Sequence, residues 1–111
     1  MSVYEMLPVS GDDQADFAIV MEDDALSPLY APGSTVRMKR STDLLDGDVG
    51  LFYSKDGIVF RQFCQDSQGN IYLFCPDRTK KEKDLMIPAA AERPVCYGKV
   101  LLDTPLPLPE D

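Results

Sequence analysis

Three places in this 111-residue sequence carry side chains able to do chemistry. The first is the acidic run Glu22-Asp23-Asp24, followed by Ser27-Pro28, where the apolar segment Phe17-Ala-Ile-Val-Met21 ends in a polar turn. The second is Arg61, set within the apolar segment Gly57–Cys64, and the third is the basic run Arg78-Thr-Lys80-Lys81-Glu-Lys83. A serine hydroxyl is a weak nucleophile until a base takes its proton. The chain has no histidine, which excludes a histidine-dependent triad within it. Ser27, directly before Pro28, fits a turn hydrogen bond better than a displaced nucleophile. Three adjacent carboxylates on extended backbone point to alternating faces, and no EF-hand spacing surrounds them, so they read as a solvated turn and not a metal site. Cys64, Cys75 and Cys96 are odd in number, lie in or beside apolar segments and form no Cys-x-x-Cys pair. Reduced core thiols are expected, with no disulfide framework, no zinc and no cofactor.

Charge narrows the partners. Nineteen Asp and Glu against eleven Lys and Arg leave a net charge of −8, which repels phosphate backbones. The basic run is interleaved with Asp77, Glu82 and Asp84, and reads as a solvated loop between two strands. An apolar fraction of 44% and a charged fraction of 27% are ordinary for a soluble domain. No apolar run approaches the ~20 residues that span a bilayer. Met1–Pro8 has neither a basic start nor a long apolar core, so it does not read as a signal peptide, and a cytoplasmic setting without membrane contact is expected.

The elements that must position these residues are strands. Phe17–Val20, Thr35–Lys39, Val49–Ser54, Gly57–Cys64, Asn70–Cys75, Leu85–Pro88 and Val95–Leu102 are short β-branched or aromatic segments separated by Pro, Gly, Asp and Ser. The pattern predicts one all-β domain, with a single helical turn allowed at Ser41–Leu45. Lys55-Asp-Gly57 and Asp66-Ser-Gln-Gly-Asn70 predict two consecutive antiparallel hairpins. Alternation along the second strand of the first hairpin places Val59, Arg61 and Phe63 on one face. Residues 1–16 read as an N-terminal strand and polar loop, and 17–102 as the domain body. Thr104-Pro-Leu-Pro-Leu-Pro-Glu-Asp111 reads as a frayed tail of extended polyproline II geometry.

Several of these features, in order, resemble the self-cleaving peptidase domain of LexA and phage repressors. Asp23-Asp24-Ala25-Leu26-Ser27-Pro28 resembles that family's Gly-Asp-Ser-Met-x-Pro signature, with Ala25 at the position of the reactive serine. Tyr30-Ala-Pro-Gly33, Asp46-Gly47-Asp48 and the hairpin through Ile58-Val-Phe-Arg61-Gln-Phe63 follow as they do in the family. The resemblance covers roughly residues 17–102 and implies a coiled, multi-sheet, signal-peptidase-like β fold.

In the family a neutral lysine amine takes the serine's proton, and the serine cuts an Ala-Gly bond of the same protein. The resemblance puts that lysine at Arg61, with Phe60 or Gln62 as the one-residue alternatives. Arginine stays protonated and cannot serve as the base, and Ala25 has no hydroxyl to activate. The cleavage bond departs too, its nearest equivalent being Ser10-Gly11. The resemblance therefore implies a pseudo-peptidase: the dimerisation and regulatory domain of a helix-turn-helix repressor. Such a domain would meet DNA only through a helix-turn-helix outside this sequence, and would take a second copy, an antirepressor or another protein as partner. The exposed apolar strand edge Val95–Leu102 is the expected dimer interface. Asp24 is expected to accept backbone N–H bonds in its turn, and Asp23 or Asp24 to pair with Arg61 in the former cleft. Two other readings remain open: an active serine peptidase carrying a Ser-to-Ala change at Ala25, and an acidic protein-binding module.

Overall fold

The computed structural model describes residues 5–7, 14–22, 26, 30–41, 43–54, 57–102 and 106–109. The fold is all-β. Its strands are β1 (Glu5–Leu7), β2 (Phe17–Val20), β3 (Thr35–Lys39), β4 (Val49–Ser54), β5 (Gly57–Gln65), β6 (Ile71–Phe74), β7 (Leu85–Ile87) and β8 (Cys96–Val100). The several sheets implied above are here one antiparallel ladder, in the order β1-β2-β3-β8-β4-β5-β6-β7. The seven strand segments read from sequence all form, because each pairs apolar alternation with a turn at its end. Both hairpins form as expected: Leu51 pairs with Phe60 and Gly50 with Arg61 in the first, and Phe63 with Leu73 in the second.

A half-buried strand sorts its side chains by parity. Val49 and Leu51 of β4, Phe60 of β5, Val36 and Met38 of β3, Phe17 and Ile19 of β2 and Val100 of β8 share one core. Met21 and Leu26, from the segment after β2, complete that core, and both are fully buried. The opposite parity, Phe52, Phe63, Ile71 and Leu73, builds a smaller core with Val59, Leu44 and Cys96 packed against it. β5 lies between the two cores. At Gly98, a Cβ would stand 2.8 Å from the Lys39 carbonyl oxygen, so β8 packs against β3 more closely than any side chain allows.

Four expectations are corrected. β8 is not an edge strand: it hydrogen-bonds to β3 through Lys99 and Val100 and to β4 through Cys96, Gly98 and Lys99. Its exposed apolar groups, Val95 and Tyr97, stand at its start and not along a free edge. The basic run is not a loop but a short, kinked 3₁₀ helix, Arg78–Lys83, of two turns that meet at the non-helical Lys80 (φ −113, ψ 35); the Asp77 carboxylate accepts the Thr79 N–H, and Arg78 forks onto Asp84 at 2.8 and 3.0 Å. The C-terminal tail is not frayed at 106–109: Leu106 packs against the main core, and its carbonyl is held from β5. The stretch 43–45 takes no helical turn; there Leu45 N–H donates to Asp48 and Asp43 N–H to Ser41. No helix among the described residues is long and apolar enough to cross a membrane.

Candidate functional site

The site grows out of β5, whose middle carries two buried polar side chains in succession. Arg61 is 9% exposed and Gln62 1%, and parity sends them to opposite faces of the sheet. Arg61 lies with Val59 and Phe63 on the face of the smaller core, opposite Gly50 of β4. Its Nη1 donates to the Phe60 carbonyl at 2.7 Å, and its Nε reaches the Lys83 carbonyl at 3.4 Å. A buried cation needs its donors satisfied, and here backbone oxygens do part of that task.

Gln62 faces the main core. Its Nε2 donates to the Leu106 carbonyl at 2.8 Å and to those of Gly47 and Pro107 at 3.2 Å each. The tail suits this donor: prolines at 105, 107 and 109 have no N–H to pair, so the segment offers carbonyls above all. The Asp46-Gly47-Asp48 turn is stitched to the same strand. Gly47 N–H donates to the Phe63 carbonyl at 2.8 Å, Phe63 N–H to that of Asp48 at 2.7 Å, and Gln65 N–H to the Asp46 carboxylate at 2.9 Å. Gly47, at φ 98, takes the left-handed conformation this turn requires.

Of the residues singled out from sequence, Arg61 is placed as expected, on an apolar face. Ser10, Gly11, Asp23, Asp24, Ala25 and Ser27 lie outside the described residues, as does the proposed Asp partner of Arg61. Leu26, next to Ala25, is buried in the main core with Phe60, on the face of β5 opposite the one that carries Arg61. Gln62, named from sequence only as a one-residue alternative for the lysine position, was missed as the residue that holds the tail; its signal was a carboxamide at the parity of Ile58 and Phe60, where an apolar side chain belongs.

Two of the thiols are biased toward the protonated form. Burial, then the charges of Asp46 and Asp66, push the Cys64 thiol up, and burial does the same for Cys96, whose Sγ lies 3.4 Å from the Gly98 carbonyl. All three cysteines are free. Among the described residues no three His, Cys, Asp or Glu side chains come together as a metal site. A cleft of about 590 Å³ opens over the smaller core, floored by Phe52, Phe63 and Ile71, with Leu44, Val95 and Cys96 at its sides and Asp43 and Arg93 contributing charge. No family model, curated protein or solved structure matches the chain.

Proposed function

We propose that this chain is a catalytically inactive relative of the LexA and phage-repressor peptidase domain, serving as the self-association and regulatory unit of a helix-turn-helix repressor. One observation supports the reading: a guanidinium is buried at mid-strand in β5, flanked by Val59 and Phe63, and the resemblance would match this residue to the family's lysine. Burial lowers a lysine's affinity for its proton and makes it a base, but it leaves an arginine charged. The same pocket that would activate one residue keeps the other inert. Leu26 shares the main core with Phe60, so the segment after β2 approaches β5 on the face opposite Arg61, and the reading rests on the buried guanidinium and not on this contact. With Ala25 for the serine, two parts of the machinery are replaced, and binding is the role left to the scaffold.

Prolonged incubation at alkaline pH followed by intact-mass spectrometry tests the chemistry. The expected result is an unchanged mass, and specific fragments would overturn the inactive assignment. Sedimentation velocity at micromolar concentration tests the role. A reversible dimer is expected; a strict monomer would leave an acidic module for other proteins as the better reading.

A further inference from the structure

Self-association needs a surface, and β8, hydrogen-bonded on both sides, does not supply a free edge. The sheet ends at β7, which among the described residues pairs with β6 alone and has no strand on its other side. This edge is apolar: Met86 is 56% exposed and Leu85 38%. Unpaired strand edges are templates for another strand, and proteins ordinarily blunt them with charge, proline or cover. β7 itself carries no charged residue.

Electrostatics favours the same place. Two copies at −8 repel, and least where their local charge is not negative. Four of the chain's eleven cations, Arg78, Lys80, Lys81 and Lys83, lie in the 3₁₀ helix that leads into β7. Glu82 lies among them and Asp77 and Asp84 flank them, so residues 77–84 carry four cations against three carboxylates, a net of +1 in a chain of −8, with Arg78 and Asp84 paired to each other. An antiparallel two-fold pairing of β7 centred on Met86 would bring Leu85 against Ile87 of the second copy. Each basic helix would then lie beside the other copy's neutral Pro88-Ala-Ala-Ala91 and its Glu92, not beside the other basic helix.

Resting on the self-association reading above, we propose that two copies of this chain join through the free edge of β7, continuing one sheet into the other. A pairing of three-residue strands falls well short of the ~1,200 Å² typical of tight complexes, so the dimer is weak and forms in the micromolar range.

The experiment is sedimentation equilibrium of the full chain beside Met86→Lys, the double variant Lys81→Glu/Lys83→Glu and Tyr97→Lys. All these positions are exposed, and thermal melts check that each variant folds. Met86→Lys is expected to weaken dimerisation by about tenfold or more, because it sets a charge against its own counterpart across the two-fold axis. The double variant is expected to weaken it at low salt, and Tyr97→Lys to leave it unchanged. A wild-type dimer that neither the Met86 nor the double variant weakens would overturn the β7 assignment while sparing self-association. Loss of the dimer in Tyr97→Lys alone would do the same and move the interface to the face of β8. A wild type that stays monomeric would overturn both readings.

Discussion

Arg61 and Gln62 show how one strand holds segments on both sides of a sheet. They are neighbours in sequence but face different cores, and the partners of both donors among the described residues are backbone carbonyls. Arg61 ties β5 to the end of the 3₁₀ helix, and Gln62 ties it to the Gly47 turn and the tail. Leucine nearly matches glutamine in volume but has no donor, so Gln62→Leu separates packing from hydrogen bonding. If Gln62 only filled space, the change would be close to neutral. Because it serves three carbonyls in a buried setting, the expected cost is about 1–3 kcal/mol in urea unfolding. The amides of Leu106 and Leu108 should also exchange with solvent faster, while those of β2 keep their protection. Unchanged tail exchange would show that Leu106 is held by apolar contact alone.

At the scale of the element, one carboxylate gathers the β5–β6 turn, beside the backbone bonds from Asp66 N–H to the Asn70 carbonyl and from Gly69 N–H to the Asp66 carbonyl. Asp66 accepts the N–H groups of Gln68 at 3.0 Å and Asn70 at 2.9 Å, the Asn70 side-chain amide at 3.0 Å and the Tyr72 hydroxyl at 3.3 Å. These bonds, led by the Asn70 side chain, hold its carboxyl below the ordinary value of 3.8. The folded state therefore releases this proton more readily than the unfolded state does. The contribution is complete above the unfolded value and is lost as pH falls through the folded one. An Asp66→Asn variant should lie furthest below the wild type near neutral pH, with the gap closing in the acid range, as read from urea unfolding at a series of pH values. A gap of constant size would mean that shape, not charge, closes the turn.

Such turns explain why so much of the ladder was legible. Asp66–Asn70 and the alternating apolar residues around it are local signals, and they set hairpin register. The face of Arg61 followed from the same period of two. What stayed hidden depends on groups far apart in sequence. The hold on the tail joins Gln62 to Leu106, forty-four residues on, and no local pattern announces it. The interior place of β8 is set by β3 and β4 closing on it from both sides, whereas its composition resembles that of an edge. The 3₁₀ helix escaped notice because its stabilising bonds, Asp77 to Thr79 and Arg78 to Asp84, come from charged residues that also suit a solvated loop.

For the molecule as a whole, net charge decides how two copies can meet. Two bodies at −8 repel over a Debye length of about 10 Å at 0.1 M salt, and added salt screens that repulsion. The apolar contact of Leu85 and Met86 and the backbone pairing of β7 are short-ranged and survive screening. Symmetric association through β7 should therefore tighten as ionic strength rises. Docking of the basic helix on an acidic surface depends on attraction between opposite charges, and should loosen instead. Sedimentation equilibrium at low and high salt reads the sign directly. The Lys81→Glu/Lys83→Glu variant enlarges the response: two changes of −2 take each copy from −8 to −12, so repulsion at low salt grows and more of it is relieved on screening. A dimer that tightens with salt, more steeply in the variant, is the expected pattern. A dimer that dissociates on adding salt would make attraction between carboxylates and the 3₁₀ segment the main force, which a two-fold interface also allows, and would remove the apolar β7 contact as its source.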